Sequence, residues 1–134
     1  MKVLFICIEN TCRSQMAEGF ARHLGLEAES AGMRAGSGVN PDAVTAMAEL
    51  GIDIAGQNSK EIDYDHLDKF DAVISMCSAK TADICPSTFV GVQANWNVED
   101  PKGQSPEVFA RVRDEIKTKV EWLSAQSSQI SSIA

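Results

Sequence analysis

Cys7 and Arg13 stand with five residues between them in the stretch FICIENTCRSQMAEG, residues 5–19. An apolar run leads into Cys7, and a predicted helix begins near Arg13 and Ser14. The loop of such a strand–loop–helix unit aims several backbone N–H groups at one point, and the helix N-terminus adds partial positive charge. A thiolate is stabilised there, and a guanidinium can hold two oxygens of a tetrahedral oxyanion. The stretch therefore predicts a cysteine nucleophile that attacks a bound phosphate-like anion.

The predicted anion-binding loop follows the nucleophile directly. Its members are Ile8, Glu9, Asn10, Thr11, Cys12 and Arg13. Ser14 can donate a hydrogen bond to the Cys7 thiolate, and its alternative role is to cap the helix N-terminus. The alternative for Cys7 and Arg13 is a buried core cysteine and a surface arginine. The strand before the loop and the helix after it favour the catalytic interpretation.

Strands alternate with helices along the chain. The predicted strands span 2–7, 27–31, 71–76 and 88–92. The predicted helices span 14–24, from Pro41 to a stop at Gly51, and 106–123, with a short turn or two of helix within 61–67. This alternation predicts an α/β fold, a three-layer sandwich with a central four-stranded parallel sheet and helices on both faces. Ligands of such sheets bind beyond the carboxyl ends of the strands, where Cys7 and Cys77 both lie.

Length and charge limit the function classes. The 134 residues fit a single catalytic domain, predicted to span 1–123, and a Ser- and Gln-rich flexible tail, 124–134. The N-terminal apolar run is too short for a membrane span and has no signal-peptide cleavage site, so a cytoplasmic protein with reduced cysteines is expected. The net charge of −7 argues against a nucleic-acid partner.

Several separated motifs carry a family resemblance in the right order. They are CIENTCRSQMAEGF at 7–20, SAG at 30–32, VNP at 39–41, GIDI at 51–54, MCS at 76–78, EDP at 99–101 and RVRDEI at 111–116. With these motifs the chain resembles the low-molecular-weight tyrosine phosphatase superfamily, and more closely the arsenate reductases built on that fold. The resemblance covers about residues 2–123 and implies the phosphatase-like fold, a monomer and no tightly bound cofactor or metal.

The resemblance implies an acid and a three-cysteine relay. Asp100, before Pro101, would protonate the leaving oxygen, whereas from the sequence alone EDPKG could be a solvated turn. Cys77 would attack the arsenic adduct on Cys7 and release arsenite, and Cys85 would then carry the disulfide to an external thiol. A low-molecular-weight tyrosine phosphatase needs only Cys7 and water, which would make Cys77 and Cys85 packing thiols. A third alternative is an oxyanion-binding or redox-sensing protein without turnover.

Substrate and donor also follow from the resemblance. Lys102 stands where the phosphatases carry a tyrosine beside an aromatic substrate, which favours a small inorganic substrate. Arsenate is therefore expected, with phosphate and sulfate as competing oxyanions and no membrane partner. Thioredoxin is favoured as the reductant over glutathione with glutaredoxin, although some relatives use the latter. Cys12 is predicted to pack, or to pair occasionally with Cys7 off the main pathway.

Two metal sites are disfavoured. Thioredoxin-linked reductases bind potassium through residues that match Asn10, Glu18, Ser30 and an aspartate, whose place is taken here by Lys60. A lysine would repel the ion, so no required potassium is expected. A zinc site of four cysteines is disfavoured because the C-x4-C and C-x7-C spacings are unlike the usual tight pairs and because Arg13 would repel the metal.

Overall fold

A four-stranded parallel sheet in the order β2-β1-β3-β4 forms the middle of the computed structural model, which describes residues 1–133 and the side chains of residues 1–127. The strands are β1 Lys2–Cys7, β2 Glu27–Gly32, β3 Ala72–Ser75 and β4 Val92–Asn95. The predicted α/β fold with four parallel strands is confirmed. Central β1 and β3 are buried on both faces, which explains their continuous apolar sequences.

Three α-helices cover one face of the sheet, called here the helical face. They are α1 Arg13–His23, α2 Pro41–Ala48 and α3 Pro106–Ile133. Side chains alternate along β1, so that Val3 and Phe5 pack against these helices while Leu4 and Ile6 face the opposite side. Among the residues that the structure describes, no helix is both long enough and apolar enough to cross a membrane.

The opposite face, called the back face, has a thinner cover than predicted. Its regular structure includes two short 3₁₀ helices, Tyr64–Lys69 and Thr81–Asp83, which lie between β2 and β4 in the sequence. The apolar cluster beneath them includes Leu67, Phe70 and Cys85. The first 3₁₀ helix begins three residues later and ends two residues later than the predicted 61–67 segment. Asp63 sets its start, because its side chain caps the helix by accepting a hydrogen bond from the Asp65 N–H.

The prediction for the fourth strand was wrong by several residues. The apolar segment 88–92 was predicted, but the ladder with β3 begins only at Val92 and runs to Asn95. Val90 is almost fully exposed. An edge strand buries few side chains, so β4 has only two apolar residues, Val92 and Ala94, and lacks the continuous apolar signal that marks a central strand.

The end of α3 was also predicted wrongly. The helix does not stop at residue 123 but continues to Ile133, and Ser127 is buried. Residues 124–133 contain neither Gly nor Pro, so nothing in them terminates a helix. The helix therefore covers residues 124–133 of the predicted tail, whose flexibility stays a prediction, and Ala134 lies outside the described residues. A single domain that spans 1–123 stays a prediction.

Arg113 joins α3 to the end of α2. Its buried side chain donates to the Ala46 carbonyl at 2.9 Å and pairs with Glu49 at 3.3 Å and Asp114 at 2.9 Å. The hydrogen bond to Asp114 contributes most to a raised pKa of Arg113. Ala46 lies in the last turn of α2, where helix carbonyls lack partners within the helix. Arg113 therefore caps one helix from the side of another.

Replacing Arg113 by Met is expected to lower the free energy of unfolding by about 1–3 kcal/mol, because the Ala46 carbonyl loses its donor while the apolar stem stays filled. Urea unfolding measures the change. Arg111→Met is the matched control, since Arg111 is exposed on the same helix and pairs with exposed Glu99. Equal midpoints for the two variants would contradict the assignment.

Candidate active site

The loop between β1 and α1 is held open by a network around Asn10. Asn10 has a φ of 57°, a left-handed conformation that asparagine tolerates better than most residues. Its side chain donates to Ser14 Oγ at 2.8 Å and accepts from the Lys60 N–H at 3.1 Å. Buried Gln15 donates to the Asn10 carbonyl at 2.9 Å. These contacts fix the loop before any anion binds.

The segment after β2 turns the loop's N–H groups inward. The N–H groups of Arg34, Gly36 and Asn40 donate to the carbonyls of Ile8, Glu9 and Thr11 at 2.9–3.0 Å. In a trans peptide the C=O and the next residue's N–H point in opposite directions. With those three carbonyls turned outward, the N–H groups of Glu9, Asn10 and Cys12 face the cavity, as the anion-binding interpretation requires.

Gly32 is required at the end of β2 for this arrangement. A Cβ there would stand 2.8 Å from the Ile8 carbonyl oxygen and 2.9 Å from the Asn10 nitrogen. Only glycine lets the two backbones approach so closely.

Arg13 points its guanidinium into the same cavity. Nη1 donates to the carbonyl oxygens of Val98 at 2.7 Å and Met76 at 3.3 Å. Nη2 lies 3.9 Å from Asp100 Oδ2. Nε is buried and has no hydrogen-bond partner among the residues whose side chains are described. A buried unpaired donor is costly, so this edge of the guanidinium is prepared for an anion.

Asp100 stands at the opening of the cavity, about half exposed. Its Oδ1 accepts from the Lys102 N–H at 3.0 Å, and its Oδ2 faces Arg13. The cavity has a volume of about 170 Å³, below the roughly 300–1,000 Å³ of pockets for drug-sized ligands. It is lined by Cys7, Ile8, Glu9, Thr11, Cys12, Arg13, Arg34, Asp100 and Lys102. A small tetrahedral oxyanion suits this volume.

Cys7 and Cys77 form a thiol pair at the floor of the site. Both are buried: Cys7 is the last residue of β1, and Cys77 lies two residues beyond the end of neighbouring β3. A hydrogen bond from Cys7, with further help from the Ala79 backbone, Ser75 and Arg13, lowers the pKa of Cys77 to about 5. The same hydrogen bond and burial raise the pKa of Cys7. We therefore expect the pair to share one negative charge and one proton between its two sulfurs.

The protein is expected to contain one thiolate among its four cysteines at neutral pH. Its ultraviolet thiolate absorbance should persist as the pH falls and disappear only below about pH 5, where Cys77 takes up a proton. Burial raises the pKa of Cys12 to about 11 and also raises the pKa of Cys85, so both remain thiols. Cys85→Ser should leave the signal unchanged. Absence of the signal at neutral pH would contradict the pair.

Ser14 lies inside α1 and does not cap it. The N-cap position is Cys12, which makes no side-chain capping bond. Because Asn10 donates to Ser14 Oγ, the hydroxyl proton of Ser14 remains available to a thiolate on Cys7. The role of Ser14 toward Cys7 stays a prediction.

Cys85 is not brought to the other cysteines. It packs in the back-face cluster with Leu4, Ile6 and Phe70, whereas Cys12 packs in the helical-face core and also lines the cavity. The sequence placed Cys77 and Cys85 at the two ends of one polar segment but contained no signal for the face on which Cys85 packs. A role for Cys85 in a relay requires that segment to rearrange.

Lys60 lies beside Glu18, one of the residues that match the potassium ligands of the thioredoxin-linked reductases. Its Nζ stands 4.0 Å from Glu18 Oε1, which accepts from Ser30 Oγ at 2.6 Å, while Arg22 pairs with Glu18 Oε2 at 3.1 Å. Two cations thus already neutralise the buried carboxylate, and independence from potassium stays a prediction. Within the described part of the chain, no three His, Cys, Asp or Glu side chains are grouped as metal ligands would be.

Arg34 is the cavity residue that the sequence did not reveal. It lies in the glycine-rich segment after β2, and its Nη2 pairs with Glu9 at 3.2 Å. A single arginine in a loop has no periodicity to mark it, so only the fold shows that this segment borders the anion-binding loop.

Comparisons with known proteins identify the family. The family model described as low molecular weight phosphotyrosine protein phosphatase matches residues 2–131. A glutaredoxin arsenate reductase from Synechocystis is 45% identical over 95% of this chain and 98% of its own length. Arsenate reductase 1 of Bacillus cereus is 46% identical over 88% of this chain and 90% of its own.

Solved structures agree with the sequence relatives. An arsenate reductase in the phosphate binding state superimposes with a TM-score of 0.82 at 44% identity, over 93% of this chain and 97% of that one. Wzb of Vibrio vulnificus in complex with benzylphosphonate has the same TM-score at 21% identity, which shows a shared fold alone. The chain therefore belongs to the low molecular weight phosphotyrosine protein phosphatase family, among relatives of about 45% identity that are arsenate reductases.

Proposed function

We propose that this protein reduces arsenate to arsenite with electrons from its own cysteines, which an external thiol donor then restores. The observation that carries the proposal is the buried thiol pair, Cys7 and Cys77, beside the unpaired Nε of Arg13. The Arg13 guanidinium can bind a tetrahedral oxyanion, and the thiol pair can supply the two electrons that reduce it. Relatives of about 45% identity that are named arsenate reductases support the same activity.

Arsenate binds first, between the N–H groups of the loop and the free edge of Arg13. Cys7 passes its proton to Cys77 across their hydrogen bond, and its thiolate then attacks arsenic. Asp100 protonates the oxygen opposite the attack, which leaves as water. The product is a covalent Cys7–arsenic(V) adduct. The stabilisation comes mainly from donors that are already fixed before the substrate arrives.

Cys77 then attacks the sulfur of Cys7. An S–S bond forms, the S–As bond breaks, and its electron pair passes to arsenic, which is reduced from As(V) to As(III). Protons from Cys77 and from solvent leave the arsenite neutral, so the cationic site loses its hold on the product. The protein retains a Cys7–Cys77 disulfide, which is buried.

Cys85 opens this disulfide by attack on Cys77, which returns Cys7 to the thiolate and produces a Cys77–Cys85 disulfide for the donor. The step requires residues 78–91 to leave their present packing, because Cys85 is on the back face. We propose thioredoxin as the donor because the resemblance favours it. The name of the Synechocystis relative, a glutaredoxin arsenate reductase, favours glutaredoxin instead. We also propose a cytoplasmic monomer.

The test is arsenate-dependent NADPH oxidation in two parallel assays, one with thioredoxin and its reductase and one with glutathione, glutaredoxin and glutathione reductase. Turnover in either assay supports the reductase, and the active assay identifies the donor. No turnover in both, with brisk p-nitrophenyl phosphate hydrolysis, would contradict the proposal.

The second candidate is a phosphate monoester hydrolase that works through a phosphocysteine. Cys7, Arg13 and Asp100 share one cavity, and these groups suffice for that reaction. Hydrolysis gives no role to Cys77 beside Cys7, so we prefer arsenate reduction as the proposed function.

A further inference from the structure

Glu9 places a carboxylate at the opening of an anion-binding cavity, where it would repel a dianionic substrate. It does not stand alone there. Its Oε1 lies 3.2 Å from Arg34 Nη2 and its Oε2 lies 3.6 Å from Lys102 Nζ. All three side chains line the cavity that contains Cys7. We call Glu9, Arg34 and Lys102 the mouth cluster.

The mouth cluster ties together three separate segments. Glu9 belongs to the anion-binding loop, Arg34 to the segment after β2, and Lys102 to the loop of Asp100. The backbones of the first two segments are already close, since the Arg34 N–H donates to the Ile8 carbonyl at 3.0 Å. The two ion pairs add a bridge of side chains across the opening.

Charge explains why the cluster persists and why it does not reject anions. The hydrogen bond from Arg34, with the charge of Lys102, lowers the pKa of Glu9, so its carboxylate remains ionised at neutral pH. Arg34 and Lys102 balance the carboxylates of Glu9 and Asp100, which line the same cavity, so the opening has no excess negative charge in a chain whose net charge is −7. The positive charge of Arg13 deeper in the cavity can therefore still attract an approaching oxyanion.

An ester and a free oxyanion meet this cluster differently. An anion gripped by Arg13 and attacked by Cys7 turns its leaving oxygen toward Asp100. In a monoester that oxygen carries the organic group, which must extend out through the opening. Lys102 follows Asp100 by two residues and is tied to Glu9, so the organic group meets the ion pair. A free oxyanion carries only a hydrogen at that place.

We propose that Glu9 is a specificity-determining residue, which holds Arg34 and Lys102 across the opening and so selects a free tetrahedral oxyanion over a monoester. The inference rests on the proposed function for its inorganic substrate, but the selection itself is a property of binding. It concerns the opening of the cavity and adds no group to the chemistry.

The experiment measures binding of inorganic phosphate and of phenylphosphonate, a monoester analogue, to the full chain by calorimetry. Wild type should prefer phosphate, and Glu9→Gln should reduce that preference by about fivefold, the effect expected when an exposed ion pair is removed. Glu99→Gln is the matched control, since it removes a carboxylate from the same loop as Asp100, pairs with Arg111 at 3.0 Å and does not line the cavity.

Lys102→Met should shift the preference in the same direction, and the double variant Glu9→Gln/Lys102→Met should add little to Glu9→Gln, because Glu9→Gln already breaks the pair with Lys102. An unchanged preference in Glu9→Gln, or an equal shift in Glu99→Gln, would overturn the proposal. If wild type fails to reduce arsenate while the preference still shifts in Glu9→Gln, the proposed function fails and the selection stands. If wild type reduces arsenate but Glu9→Gln keeps the wild-type binding preference, the proposed selection by Glu9 fails and the proposed function stands.

Discussion

Replacing Cys85 by Ser is expected to stop arsenate turnover after one equivalent of arsenite per protein molecule. Cys7 and Cys77 suffice for the chemistry on arsenic, so a first arsenite should still be released. The Cys7–Cys77 disulfide that remains is buried, and a protein donor cannot reach it without the third thiol. The measurement is arsenite quantified in a rapid-mixing experiment, beside the steady-state NADPH assay.

Hydrolysis of p-nitrophenyl phosphate is the internal control, because it needs Cys7, Arg13 and Asp100 but no disulfide. Cys85→Ser should retain it, which also shows that the variant folds. Steady-state reduction at the wild-type rate would contradict the relay. Loss of both activities would instead assign Cys85 a packing role, and Cys85→Ala, which keeps the site apolar, should then restore them.

The burial of Cys85 gives the relay an order. Burial is the cause of its raised pKa, so Cys85 is a poor nucleophile while it remains packed against Leu4 and Ile6. In the proposed relay, we therefore expect Cys85 to react with Cys77 only after its segment has rearranged. The segment that carries it has only a three-residue 3₁₀ helix, anchored by the Thr81 N–H to Asn95 Oδ1 at 3.0 Å. A rearrangement must break this hydrogen bond and the packing of Cys85, Ile84 and Phe89 in the back-face cluster.

Local patterns predicted the parts of the fold that depend on local physics. The apolar run into Cys7 and the helix after Arg13 are adjacent in sequence, so their geometry followed from strand and helix periodicity alone. Cys7 and Asp100 line one cavity, and Cys77 lies beyond the end of neighbouring β3, because parallel strands bring their carboxyl ends to one edge of the sheet. The resemblance supplied their roles.

Long-range packing could not be predicted in the same way. Short β4 lacks the continuous apolar run of β1 and β3, and the back face that buries Cys85 is assembled from segments far apart in the chain. The mouth cluster joins residues up to 93 positions apart, as with Glu9 and Lys102. Ion pairs of this kind depend on the final fold rather than on any spacing in the sequence.

Replacing Arg13 by Lys is expected to lower kcat/KM by about 10²–10³, both for arsenate reduction and for p-nitrophenyl phosphate hydrolysis, because a preorganised donor to the anion is lost. The positive charge is conserved, but an ammonium cannot hold the Val98 and Met76 carbonyls while it also presents a second edge to two oxygens. Calorimetric titration with inorganic phosphate should show weaker binding in parallel.

Arg111→Lys is the matched control, since Arg111 is exposed and pairs with Glu99 outside the cavity. It should alter neither activity. Because Arg13→Lys also leaves buried carbonyls with a poorer donor, its unfolding midpoint should be measured without phosphate, so that lost stability is separated from lost binding. An Arg13→Lys protein with wild-type phosphate affinity would show that the loop N–H groups bind the anion alone. The buried, unpaired Nε would then need another explanation.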